Sequence, residues 1–176
     1  VSFCITPGLS LLRGGDGRGK TTLLRLMAGE IEPMGGYIQG RCGPVFFHNP
    51  LPGDLDDESG RHWLLGLRTG FVDWNVDLEC CLIEEFGLNE HIDKPPHMLS
   101  KGSLRKLGLI GAFASGARLA LLDTPYAALD GASRGLLSEL LLDASEPPSR
   151  AWVIADFDVA PSLADVTFAE VVELGD

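Results

Sequence analysis

Residues 14–21 read Gly14-Gly15-Asp16-Gly17-Arg18-Gly19-Lys20-Thr21, and they match the template G-x-x-x-x-G-K-[ST] at every fixed position. The segment before them, Leu9 to Arg13, is typical of a strand, and Thr22 to Ala28 has apolar residues at helical spacing. Glycines let the backbone curl so that several N–H groups meet at one phosphate, and the helix N-terminus adds partial positive charge there. The strand–loop–helix order therefore predicts a site for a nucleoside triphosphate.

The side chains of this loop define the expected contacts. Lys20 would reach the β- and γ-phosphates, and the Thr21 hydroxyl would bind Mg²⁺. The expected phosphate-binding set is contiguous and comprises Gly14, Gly15, Asp16, Gly17, Arg18, Gly19, Lys20, Thr21 and Thr22. The alternative is a glycine-rich turn that only caps a helix, and the strand before the loop and the helix after it favour the phosphate site.

Composition restricts the class of protein. The 176 residues suffice for one well-packed domain, and 45% hydrophobic with 22% charged residues is typical of a globular fold. A net charge of −11 argues against a nucleic-acid partner, because such proteins present a basic face. No apolar run approaches the ~20 residues that a membrane-spanning helix needs, and the first residues lack the basic start of a secretory signal.

Cysteine usage indicates a reducing compartment. We expect the four cysteines to be reduced thiols that pack as small hydrophobic side chains, in a cytoplasmic protein. A metal site built from Cys80, Cys81, His91 and His97 is conceivable, but the spacing matches no common site.

Predicted strands alternate with predicted helices, which indicates a parallel α/β sheet. Besides Leu9–Arg13 and the helix that ends at Gly29, the pattern predicts strands at 45–47, 119–123 and 152–155, and helices near 61–69, 76–86, 100–115 and 132–144. The turn at Pro7-Gly8 predicts a hairpin between residues 1–5 and 9–13, and a strand pair is expected within 166–174. The block from about 50 to 98, which begins and ends with prolines, reads as a helical subdomain.

Three further segments carry a family resemblance. Leu99-Ser100-Lys101-Gly102-Ser103 looks like the LSGGQ signature, Leu119 to Asp123 with Thr124-Pro125 looks like a Walker B strand, and Ala128-Leu129-Asp130 looks like the loop that follows it. Together with the glycine loop they resemble the ATP-binding cassette (ABC) family over nearly the whole chain. The alternative is an unrelated P-loop α/β protein with a chance LSxGS.

The resemblance implies an α/β fold with a P-loop NTPase core of ABC type, a mixed, mostly parallel sheet and a helical subdomain, all within one domain spanning 1–176. It implies ATP and Mg²⁺ as ligands. Thr21 and Asp123 would hold the metal with Asn49, which stands where the family presents a glutamine. Ser100 and Gly102 would contact the ATP of a second chain. Family members also carry an adenine-stacking aromatic residue well before the glycine loop, so either the front of this domain is truncated or the base is held loosely.

Two positions depart from the family in ways that bear on catalysis. Thr124 stands where the family has a glutamate that polarises the attacking water, and Phe157 stands where it has the switch histidine. A threonine hydroxyl is a poor proton acceptor and a phenyl ring offers no hydrogen bond. The catalytic residues are therefore unassigned, and we expect weakened hydrolysis. Asp156 or Asp158 could act as a substitute base, or could serve as solvated or capping carboxylates.

The resemblance implies the ATP-binding subunit of an ABC transporter, peripheral on the inner face of the membrane through a permease. It would pair with an identical chain or a second ABC ATPase. A histidine directly before Asn49, here His48, resembles the sequence of the family branch that exports haem in cytochrome c maturation. A second hypothesis is a catalytically degenerate regulatory pseudo-ATPase that pairs with an active sibling. A third, a soluble P-loop kinase, would need an acceptor-binding carboxylate and lid arginines, which we do not identify.

Overall fold

The computed structural model describes residues 2–40, 43–47, 58–146 and 148–175. Its sheet contains five described strands in the order β2-β3-β4-β1-β5, and every neighbouring pair is parallel. The strands are β1 (Gly8–Arg13), β2 (Val45–Phe46), β3 (Leu119–Asp123), β4 (Ala151–Asp156) and β5 (Glu170–Glu173). The predicted α/β class is confirmed, although no antiparallel pair occurs among the described strands.

The helices of the described residues begin and end close to the predicted positions. They are α1 (Lys20–Ala28), α2 (Gly60–Arg68), α3 (Val76–Glu85), α4 (Lys101–Ala114) and α5 (Gly131–Ser145), with short 3₁₀ turns at Pro96–Met98 and Pro161–Leu163. The start of three helices follows from a capping side chain. Ser59, Asn75 and Ser100 each accept a hydrogen bond from the backbone N–H three residues later.

Two strand predictions were wrong. Residues 2–6 form no strand, so the predicted hairpin is absent from the described residues. The reason is competition for β1, whose two edges are already taken by β4 and β5 in parallel register. The expected strand pair within 166–174 is the single strand β5, because the backbone N–H of Val166 closes a turn onto the carbonyl of Leu163 instead.

The prediction that the cysteines pack as small hydrophobic side chains was also wrong. Cys4, Cys80 and Cys81 are free thiols, as expected, but all three are exposed. On α3 the inward face is formed by Glu79, Leu82 and Ile83, and the two cysteines lie outside that face. Cys42 lies outside the described residues.

The chain divides into two compact units. The first comprises residues 1–47, 118–125 and 138–176 and contains the whole described sheet. Apolar side chains from α1 and the sheet fill a core of this unit, namely Leu12, Leu24, Met27, Leu121, Val153, Ala155 and Val172. The strand ends that carry the glycine loop and Asp123 therefore rest on a packed support.

The second unit comprises residues 48–117 and 126–137 and contains α2, α3 and α4. A buried carboxylate connects its first two helices: Glu79 is 1% exposed and accepts two hydrogen bonds from Arg68, at 2.9 and 2.7 Å, and one from the Trp74 indole at 2.6 Å. A buried charge is tolerated only with such partners. Within the described residues, no helix has the length and apolar character that crossing a bilayer demands.

Candidate nucleotide-binding site

The glycine loop lies between the end of β1 and the first residue of α1. Gly17 and Gly19 have φ values of 74° and 88°, in the left-handed region that glycine adopts without steric cost. Gly19 is the N-cap of α1 and supplies no side-chain hydrogen bond. The first turn of the helix is thus not capped by that residue, which is the arrangement that suits an anionic ligand.

Lys20 is folded into the loop. The residue is 8% exposed, and its Nζ donates to the carbonyl oxygens of Gly14 at 2.7 Å and Gly15 at 2.9 Å. The ammonium group therefore lies at the start of the loop and away from bulk solvent. Incoming phosphate oxygens would find a positive charge already placed beside the backbone N–H groups.

Thr21 and Asp123 meet although they lie 102 positions apart in the chain. The Thr21 hydroxyl donates to Oδ2 of Asp123 at 2.5 Å. A hydroxyl and a carboxylate are oxygen ligands of the kind Mg²⁺ uses, together with water and phosphate oxygens. Among the described residues, which include Cys80, Cys81, His91 and His97, no group of three His, Cys, Asp or Glu side chains suited to a metal occurs. Asn49 and His48 lie outside the described residues.

Strand register explains why the polar residues share one edge of the sheet. Asp123 pairs with Ala155, and Arg13 pairs with Asp156. Directly beyond these pairs, the N–H of Thr124 donates to the Ala155 carbonyl at 2.8 Å, and the N–H of Gly14 donates to the Asp156 carbonyl at 3.3 Å. In open parallel sheets, ligands bind beyond the carboxyl ends of the strands. Here β1, β3 and β4 all have their carboxyl ends at the candidate site.

The two altered positions lie near this edge. Thr124 adopts a φ of 44°, unusual for a residue other than glycine, and Phe157 is 69% exposed. Asp156 accepts the N–H of Phe157 at 2.7 Å through Oδ1, and Asp158 accepts the N–H of Val159 at 2.8 Å. Both carboxylates thus bind the N–H of the next residue, and neither is the N-cap of a helix, since the next 3₁₀ turn is preceded by Ala160.

Positive charge around the loop is partly compensated. Arg13 pairs with Glu173 and lies 3.5 Å from Asp158, and the carboxylate of Glu173 raises the pKa of Arg13. Arg25 pairs with Glu30 at 3.0 Å. These exposed pairs contribute little to stability. Because the charges of Arg13 and Arg25 are compensated, Lys20 supplies a larger share of the positive potential at the loop than the number of basic residues nearby in the sequence indicates.

The signature segment belongs to the second unit. Ser100 is exposed, and its Oγ accepts the N–H of Ser103 at 3.0 Å while lying 2.9 Å from the Ser103 hydroxyl. A Cβ at Gly102 would lie 2.6 Å from the carbonyl oxygen of Ala128, so glycine is required for this close approach. The structure therefore brings Lys20, Thr21 and Asp123 together in the first unit, while Ser100 and Gly102 lie in the second.

Sequence reasoning missed Lys106 altogether. Its Nζ donates to Asp130 Oδ2 at 2.8 Å and to the Phe86 carbonyl at 3.0 Å, which ties the segment after Walker B to the helix after the signature. In the sequence, Lys106 is only a basic residue within a largely apolar helix, and a lysine that extends into solvent gives the same pattern.

Comparisons with known proteins identify relatives of the chain. No family model matches it. The zinc import ATP-binding protein ZnuC of Halorhodospira halophila is 31% identical over 90% of this chain, which spans 61% of that protein, less than two thirds of its length. The cytochrome c biogenesis ATP-binding export protein CcmA of Paracoccus denitrificans is 31% identical over 99% of this chain and 80% of its own length.

A solved structure supports the fold independently. The ATP-binding subunit of an ABC transporter superimposes with a TM-score of 0.73 at 20% identity, over 88% of this chain and 70% of that one. At this identity the likeness shows the fold alone, and it confirms the P-loop core of ABC type. Taken with the extensive similarity to CcmA, it leads to one assignment: the chain belongs to the family of ABC ATP-binding proteins.

Proposed function

We propose that this chain is the ATP-binding subunit of an ABC transporter, which binds ATP–Mg²⁺ through residues 14–22 and couples that binding to a membrane permease. The observation that carries the proposal is the pairing of Thr21 with Asp123 next to a buried Lys20, since these groups have no other evident reason to converge at the end of a parallel sheet. The names of the relatives, an importer and an exporter subunit, support the same role.

The site residues have distinct tasks in this proposal. The backbone N–H groups of the glycine loop and Lys20 would bind the phosphates, with Lys20 exchanging its two carbonyl acceptors for phosphate oxygens. Thr21 and Asp123 would hold Mg²⁺, with Asn49 as a third ligand, and the ion would neutralise phosphate charge. The block from about 50 to 98 would be the helical subdomain of a single nucleotide-binding domain.

Hydrolysis is weakened in this proposal because Thr124 and Phe157 cannot replace a glutamate and a histidine. Ser100 and Gly102 would face the ATP of a second chain, identical or from a second ABC ATPase. The subunit would lie on the cytoplasmic face of the membrane. The same two substitutions favour one alternative, a regulatory pseudo-ATPase that pairs with an active sibling.

Thermal melting with and without ATP–Mg²⁺ tests nucleotide binding. A ligand at 100 times its dissociation constant adds about 2.7 kcal/mol to the free energy of unfolding. We expect Lys20→Ala to remove most of this gain. Arg25→Ala is the matched control, because it removes a charge of the same helix that already pairs with Glu30. A melting curve that millimolar ATP–Mg²⁺ leaves unchanged in the parent chain would refute the proposal.

Light scattering tests assembly. ATP–Mg²⁺ should drive a shift from monomer to dimer that ADP does not, because the γ-phosphate bridges two chains that otherwise repel at −11 each. Ser100→Arg should block the shift and leave the ATP-induced rise in melting temperature intact. A monomer in every condition would exclude the homodimer and favour pairing with a different ATPase chain.

A further inference from the structure

Lys106 connects three elements of the second unit. It lies on α4, and its side chain is 14% exposed. Its Nζ donates both to the carbonyl of Phe86, the residue that follows α3, and to Asp130. A lysine with so little exposure has given up most of its hydration, so these two acceptors replace the water that it lost. The contact therefore fixes a particular geometry.

Asp130 is held from both sides. While Oδ2 accepts from Lys106, Oδ1 accepts the N–H of Ser133 at 2.9 Å, which caps the start of α5. The Ser133 hydroxyl adds a third bond at 3.0 Å. Lys106 and Ser133 together hold the pKa of Asp130 well below its usual range, so the residue is a carboxylate throughout the neutral range.

A second contact joins the same two segments one helical turn away. Gly102 lies against the carbonyl of Ala128, which itself adopts a φ of 61°, and Leu129 is buried at 9% exposure. Gly102 and Lys106 are four residues apart and so share one face of α4. The loop Ala128–Asp130 is thereby attached to α4 at both of its ends.

We infer that Lys106 is a positioning residue, which holds the loop Ala128–Asp130 against the first turn of α4 so that this loop and Ser100 are presented to a second chain as one rigid surface. The part of this inference that concerns the second chain rests on the proposed function. The attachment of loop to helix does not, because every contact that carries it lies within this chain.

Hydrogen exchange on the full chain tests the attachment without any nucleotide. Lys106→Met keeps the apolar stem and removes the charge, and it should raise exchange at the amides of residues 128–130 and at Ser103 together, by about tenfold, as expected for loss of a charge-assisted hydrogen bond. Lys106→Arg should restore protection. Arg61→Met is the control, because it breaks another ion pair of the same unit, with Asp93 at 2.6 Å.

Unchanged exchange at these amides in Lys106→Met, or equal changes in Arg61→Met, would overturn the inference. Asp130→Asn provides a second route, since asparagine preserves the cap of α5 but removes the ion pair, and it should reproduce the effect of Lys106→Met. Lys106→Met should also weaken ATP-driven dimerisation about tenfold at unchanged ATP affinity. If the parent chain binds no ATP, the proposed function fails, and the exchange experiment still decides whether Lys106 positions the loop.

Discussion

Replacement of Gly102 by alanine should destabilise the chain, although alanine normally favours a helix. Gly102 lies in the first turn of α4, where the intrinsic gain from alanine is about 1 kcal/mol. The new Cβ would lie 2.6 Å from the Ala128 oxygen, whereas ordinary contact begins at 3.4 Å, so the loop would have to withdraw by about 0.8 Å. Overpacking of this kind costs about 1–3 kcal/mol.

The loop has little freedom to withdraw, because Leu129 is buried and Asp130 is bonded to Lys106 and Ser133. The overpacking cost should therefore lie in the upper part of its range, about 2–3 kcal/mol. With the helical gain of about 1 kcal/mol subtracted, we expect Gly102→Ala to lower the free energy of unfolding by about 1–2 kcal/mol. Gly135→Ala is the matched control: it lies in α5, where an added Cβ meets nothing within 4 Å, and it should raise stability by about 0.5–1 kcal/mol.

Urea unfolding followed by far-UV circular dichroism measures both changes. With a slope of about 2 kcal/mol/M, the midpoint of Gly102→Ala should fall by about 0.5–1 M, while that of Gly135→Ala should rise. An upward shift of the same size in both variants would refute the close packing of Gly102 on Ala128 and the argument built on it.

Two further predictions concern the buried carboxylate and the altered catalytic positions. Glu79→Ala should lower the free energy of unfolding by about 3 kcal/mol, because it leaves Arg68 without its partner in a poorly hydrated site. The control Asp93→Ala breaks an exposed ion pair and should lower it by less than about 1 kcal/mol. Equal urea midpoints for the two variants would contradict this reasoning. Thr124→Glu combined with Phe157→His should raise steady-state ATP turnover by about two orders of magnitude, and vigorous turnover by the parent chain, lost in Lys20→Ala, would show that hydrolysis uses other residues.

Local signals predicted most of the elements but not their partners. The helix starts at Ser59, Asn75 and Ser100 could be predicted because a cap acts on an amide three residues away. The hairpin prediction failed because strand pairing is decided by competition. Residues 2–6 alternate suitably, yet both edges of β1 are taken by strands more than 130 residues further along the chain, a fact that no local pattern contains.

The candidate site shows the same division. The glycine loop follows β1 and Asp123 is the last residue of β3, and their convergence agrees with the rule that parallel strands end at one edge of the sheet. The inward fold of Lys20 onto Gly14 and Gly15 could not be predicted, because it depends on the dihedral angles of the loop. The contact of Lys106 with Asp130 was equally hidden, since a lysine on a helix usually extends into water.

The outer strands of the described sheet bear on the solubility of the protein. β2 has two residues, and β5 has four and carries a glutamate at each end, Glu170 and Glu173. A foreign strand that tried to extend the sheet would find few unpaired peptide groups on one side and negative charge on the other. Chains that collide at high concentration are thus discouraged from joining sheet to sheet along these two strands, which disfavours amyloid-like aggregation.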